Sequence, residues 1–181
     1  NPMAGRNGNR TSFSDSKDGA AAATVSYCYD HADRLTSFTG TSSVTYDAHG
    51  NTTVLADQTL TYDVADRHLA TTLTDGTVIS YARDVTGRIV SRTDDPPGAA
   101  PSTTIRYLYA SGSLFGIASG SGALMERSLS LPGGVMLSIS ASTQRWSYPN
   151  LHGDVIVTTD AAGLRLGARA TYDPFGQPID P

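Results

Sequence analysis

The chain has 181 residues, a formal net charge of −4 and a pI near 5.4, so it is about one domain in size and not a strongly basic nucleic-acid binder. Its acids are sixteen Asp and one Glu (Glu126), its bases twelve Arg and one Lys (Lys17), and it holds 22 Thr and 18 Gly. Glu and Lys make exposed helix faces, whereas Asp and Gly make turns and Thr makes strands, which excludes a helical bundle. The single cysteine, Cys28, excludes a disulfide-stapled fold.

In chain order, the first feature is an internal repeat. Tyr29-Asp30-His31-Ala32-Asp33-Arg34 is followed by Tyr46-Asp47-Ala48-His49-Gly50-Asn51 and by Tyr62-Asp63-Val64-Ala65-Asp66-Arg67. A worn copy, Tyr81-Ala82-Arg83-Asp84-Val85-Thr86-Gly87-Arg88, comes next, and Tyr172-Asp173-Pro174-Phe175-Gly176-Gln177 closes the series. The opening Gly8-Asn9-Arg10 reads as the second half of another unit. With no initiator Met at position 1, the chain is expected to begin as a piece of something longer or as a processed product.

Each unit has a mechanical reading. Alternation in Ser43-Val44-Thr45-Tyr46 and Thr59-Leu60-Thr61-Tyr62 predicts half-buried strands ending at the tyrosine. The following Asp accepts hydrogen bonds from backbone N–H groups two or three residues on, and Gly, or Asp33 and Asp66 in its place, takes the left-handed position that closes a short loop. One unit is then one hairpin. A lone hairpin is not stable, so successive units must pair edge to edge in one sheet.

Residues 94–104 (DDPPGAAPSTT) predict a loop. Beyond it come strands at 105–109, 113–119, 123–131, 135–140, 146–148, 154–160 and 164–172, separated by Gly-containing turns. Residues 107–125 carry no charge, but eight of the nineteen are Gly or Ser, too turn-rich for a membrane helix. No amphipathic helix of three turns is present, and the N-terminus has no signal-peptide apolar region.

The Tyr-Asp units, together with Leu131-Pro132-Gly133-Gly134, the run from Trp146 to Asp154, Thr158–Gly163 and Tyr172–Pro178, resemble the RHS/YD-repeat family. The family includes bacterial polymorphic toxins, the shell-forming component of insecticidal toxin complexes and the teneurin receptors. The resemblance implies an all-β chain of successive antiparallel hairpins, forming a curved sheet strip that is part of a spiralling shell. It implies repeat hairpins over 1–93 and the start of an RHS-associated core over 105–181, continuous with the same sheet. It also implies a secreted or cell-surface protein whose shell encloses a C-terminal toxin. The self-cleaving segment with which the family's core normally ends is not matched by Ile179-Asp180-Pro181, so neither protease carboxylates nor a toxin is assigned to any residue.

The remaining chemistry is thin. His152-Gly153-Asp154 with Asn150 is the most tempting metal site, but no second His or carboxylate stands at ligand spacing, and a hairpin loop explains it better. His31, His49 and His68 are expected as solvated turn residues, and Asp15–Gly19 lacks the calcium-loop positions. Cys28, between Tyr27 and Tyr29, is expected on the opposite face as a buried, inert thiol. The expectation is therefore a non-catalytic shell segment with no cofactor or metal. Tyr29, Tyr46, Tyr62 and Tyr172 form packing ladders; Asp30, Asp47, Asp63, Asp84 and Asp173 organise turns; Arg34, Asn51, Arg67 and Arg88 open the returning strands. Gly50, Gly87 and Gly176 serve as hinges, and Trp146, Asn150, His152, Gly153 and Asp154 form the core-motif loop. The expected partners are other segments of a parent protein or another chain completing the sheet edges, with no nucleic acid and no membrane span. The alternative is a carbohydrate- or receptor-binding module using surface Tyr and Arg, with glycans or surface receptors as partners.

Overall fold

The computed structural model describes residues 8–16, 19, 21–41, 43–173 and 176–179. Among the described residues the chain is all β apart from one short 3-10 turn at Pro132–Gly134. The first strands are β1 (Ser12–Asp15), β2 (Ala23–Tyr29), β3 (Leu35–Phe38), β4 (Val44–Tyr46) and β5 (Thr52–Leu55). They are followed by β6 (Gln58–Tyr62), β7 (His68–Thr72), β8 (Val78–Arg83), β9 (Ile89–Asp95) and β10 (Thr103–Ala110). The last are β11 (Ser113–Ser119), β12 (Leu124–Ser130), β13 (Met136–Ser140), β14 (Gln144–Pro149) and β15 (Val155–Thr159). Strands β1 to β3 make a three-stranded sheet, and β4 to β15 follow one another in sequence order in a twelve-stranded one. Their ladders are antiparallel. Successive hairpins are what short loops between alternating segments dictate.

Two compact units divide the chain, Asn1–Ala82 with Thr93–Ser102, and Arg83–Arg92 with Thr103–Pro181. The buried apolar residues are Val44 in the first unit and Ala118 and Leu137 in the second. Leu69 and Leu129, on strands of the first and second unit respectively, stay 40 % and 46 % exposed. With so few side chains fully buried among the described residues, ladder hydrogen bonds and loop closure carry much of the order.

Four local expectations are corrected. The stretch 164–172 is not a regular strand. Leu166 N donates to Thr158 O and Ala170 N to Ile156 O, so four residues advance against two on β15. Gly167, at φ +76, lies within the bulged stretch. The loop expected at 94–104 is shorter, because β9 runs to Asp95 and β10 begins at Thr103. Cys28 does lie on the face opposite Tyr27 and Tyr29, but that face is open and the thiol is exposed. His68 is not a turn residue: it sits on β7 between the rings of Tyr62 and Tyr81, at 5.7 and 5.2 Å, with Nε2 3.0 Å from Thr71 Oγ1. The candidate calcium stretch Asp15–Gly19 includes residues 17 and 18, which lie outside the described residues.

Candidate functional site: a repeated loop and its tyrosine clamp

One five-residue loop recurs along the chain. The N–H of its first residue donates to the carbonyl of its fifth, and the N–H of its fourth donates to the carbonyl of its first. Loops 30–34, 47–51, 63–67, 73–77, 84–88, 119–123, 150–154, 160–164 and 173–177 all close this way. The fourth residue is left-handed in each, for example Gly50 at φ +94 and Gly87 at +86, with Asp33 and Asp66 at 60 and 59. Glycine holds that conformation without a Cβ penalty, and Asp is among the few side chains that tolerate it.

Where the first residue is Asp or Asn, its side chain ties the loop from within. Asp63 Oδ1 accepts from the N–H groups of Ala65 and Arg67 at 2.9 and 3.0 Å, and Oδ2 accepts from Arg67 Nε at 2.8 Å. Asp30 does the same with Ala32 and Arg34, and Asp84 with Thr86 and Arg88. The acceptor offsets are thus two and four residues, rather than the two or three expected. Asp47 holds His49 N, Asn51 N and Asn51 Nδ2, and Asp173 accepts from Gln177 N. In loop 150–154 the pair is inverted: Asn150 Oδ1 accepts from His152 N and Asp154 N, and Asn150 Nδ2 donates to Asp154 Oδ2 at 2.9 Å.

These bonds favour the ionised carboxylate. The backbone N–H of the loop's fifth residue is the main cause that holds Asp30 and Asp63 below the ordinary carboxylate range. The Asn51 side chain does so for Asp47, and the Thr86 hydroxyl for Asp84.

Four of the repeat tyrosines reach back to the preceding turn. Tyr46 Oη donates to Leu35 O at 2.7 Å, Tyr62 to Thr52 O at 2.9 Å and Tyr172 to Val155 O at 2.9 Å, in each case the residue just after the preceding five-residue loop. Tyr29 makes the same bond to Arg10 O, and Tyr109 to Ile89 O. Burial pushes the Tyr29 hydroxyl above its usual pKa, with Arg10 acting the other way. The fifth-position Arg lies over the ring of the clamping tyrosine: Arg34 is 4.8 Å from the Tyr46 centroid and Arg88 4.9 Å from that of Tyr109. Tyr62→Phe keeps the ring and strips Thr52 O of its donor. It is expected to cost about 1 kcal/mol, read as a lower urea midpoint; an unchanged midpoint would show the clamp idle.

Sequence reasoning located the Tyr-Asp loops and missed both Leu73–Thr77 and the clamp at Tyr109, since neither carries Tyr-Asp. The usable signal was a Gly closing an alternating run, as in Asp75-Gly76. Trp146, grouped with the core-motif loop, lies on β14 as the strand expected at 146–148 has it, cross-strand from Leu137 and Thr159. Among the described residues no group of three or more His, Cys, Asp or Glu is placed to hold a metal ion, and no helix is long and apolar enough to cross a membrane.

No protein-family model matches the chain. It is 28 % identical over 176 residues to the tRNA3(Ser)-specific nuclease WapA of Bacillus spizizenii, a match covering 94 % of this chain and 7 % of that protein. Among solved structures it is similar to a chain of the Photorhabdus luminescens Tc holotoxin pore carrying a TccC3 mutation, with a TM-score of 0.59 and 17 % identity, covering 89 % of this chain and 10 % of that one. A complex of TcdB2, TccC3 and Cdc42 gives a TM-score of 0.58 at 16 % identity with the same coverage. The chain spans a tenth or less of the length of these proteins. The likeness shows the fold, and with it the resemblance read from the Tyr-Asp units holds.

Proposed function

We propose that this chain, a stretch of RHS/YD-repeat fold, is a non-catalytic wall segment of a shell, and that in a longer protein the shell encloses or presents a C-terminal toxin or effector. The observation that carries this reading is the recurrence of one loop and one tyrosine clamp in both units. A wall is extended by adding equal parts, whereas a catalytic site is singular. Residues 1–93 then supply repeat hairpins and residues 105–181 open the associated core, on one continuous sheet. The strands bordering the segment are completed by other segments of the same protein or by another chain through strand addition. Secretion or display at the cell surface follows from the same reading. A glycan platform needs bare aromatic faces, yet Arg34 and Arg88 lie over the rings of Tyr46 and Tyr109.

The test is protease protection in the longer gene product. An enclosed C-terminal segment should survive proteolysis in the intact protein and be digested once the wall is opened by deleting one repeat unit such as residues 47–62, which holds β5 and β6. Equal digestion in both overturns enclosure, and binding of the chain to a glycan array would favour the alternative.

A further inference from the structure

We propose that the fourth residue of a Tyr-Asp loop is matched to the fifth residue of the loop one hairpin earlier, so that neighbouring hairpins recognise each other through their loops. The fourth position demands a left-handed backbone, which glycine meets freely. Asp66 meets it at φ 59 with a side chain attached, and its carboxylate supplies a reason. Asp66 Oδ1 accepts from Asn51 Nδ2 at 2.8 Å and lies 2.9 Å from His49 Nδ1. Both groups belong to the preceding loop, and Asn51 Nδ2 also donates to Asp47 Oδ2 at 3.0 Å, so one amide spans two loops. Asp66 is a fourth-position residue put to use between loops rather than within one.

The same succession of residue types occurs elsewhere. Asp33, at φ 60, is the other aspartate at a fourth position. Before it stand Gly8, at φ +94, and Asn9. Arg10 O takes the Tyr29 hydroxyl just as Leu35 O and Thr52 O take those of Tyr46 and Tyr62. That equivalence aligns Asn9 with Arg34 and Asn51, so both aspartates follow an asparagine. Where the fifth residue is Arg34, its guanidinium turns back onto Asp30 and the Tyr46 ring. The next loop then carries Gly50, where a Cβ would meet nothing within 4 Å. Where the fifth residue is Asp154, the loop one hairpin on carries Gly176, and Asp154 Oδ1 stands 3.7 Å from the place of a Cβ. An aspartate at 176 would set two carboxylates together, which repel. Asn precedes Asp, and Arg or Asp precedes Gly, so the order of hairpins is encoded in their loops.

A double-mutant cycle on the 181-residue chain tests this. In the otherwise native chain, Asp66→Gly is expected to lower the folding equilibrium constant about two- to fivefold, as an exposed charge-assisted contact is lost. In a chain already carrying His49→Ala and Asn51→Ala, the same change should leave that constant unchanged or raise it, because only relief of the left-handed side chain remains. An equal effect in both backgrounds overturns the match. The milder Asp66→Asn gives a second reading by NMR on the folded protein: it should shift the Asn51 side-chain amide resonance, and an unmoved resonance overturns the match equally.

Discussion

Gly116→Ala is expected to destabilise the chain by about 1–3 kcal/mol, although alanine is the smallest possible addition. Gly116 is buried on β11, opposite Leu108 of β10 and Arg127 of β12. A Cβ there would stand 2.8 Å from Glu126 O and 3.4 Å from Leu124 Cδ1. The leucine methyl yields by a rotamer change, but the carbonyl is backbone within the paired β12, so relief requires the strands to part. Gly50→Ala is the contrasting case. Nothing lies within 4 Å of its added Cβ, while its φ is +94, so its cost of about 1–2 kcal/mol is purely conformational. Urea denaturation of both variants separates the causes when combined with a second change. Leu124→Ala should leave the Gly116→Ala penalty nearly whole, since the backbone contact is the closer one. A Gly116→Ala chain as stable as the native one would show that β11 and β12 are not held this closely.

How much of this was legible in the sequence depends on whether the cause was local. The ends of β4 and β6 at Tyr46 and Tyr62 followed from period-two alternation and the Asp that stops it. The left-handed residues Asp33 and Asp66 were readable because a short hairpin loop leaves no other place for a positive φ. What the sequence hid depends on neighbours across the sheet. His68 looks like a turn residue beside Asp66-Arg67, but the loop closes at Arg67, and the imidazole becomes the rung between Tyr62 and Tyr81. Cys28 was placed on the correct face, yet burial needs a second layer over that face, and alternation carries no information about layers. The 164–172 stretch has strand-like residues, but Gly167 introduces a bulge that only the pairing with β15 reveals. The tyrosine clamp spans ten residues between Tyr62 and Thr52 and twenty between Tyr109 and Ile89, a distance at which no local pattern speaks.

Acid should unfold the chain, and the loops set where. Asp30, Asp47, Asp63, Asp75 and Asp84 are all held below the ordinary carboxylate value by hydrogen bonds that require the folded loop. A carboxylate whose folded pKa is depressed binds its proton more weakly folded than unfolded. Its contribution is complete above the unfolded value of about 3.9, and it is lost as pH falls through the folded value. The urea midpoint is therefore expected to be flat on this account from neutrality to about pH 5 and to fall steeply below about pH 4. Loop 150–154 indicates the control, because Asn150 builds the same closure with a neutral side chain. The double variant Asp47→Asn, Asp63→Asn keeps an acceptor oxygen in both loops while removing two titrating groups. Its midpoint should be lower than native at pH 7, where the charge-assisted bonds are lost, and should fall less steeply below pH 4. A variant whose midpoint falls in parallel with the native chain would assign acid lability to carboxylates outside these two loops.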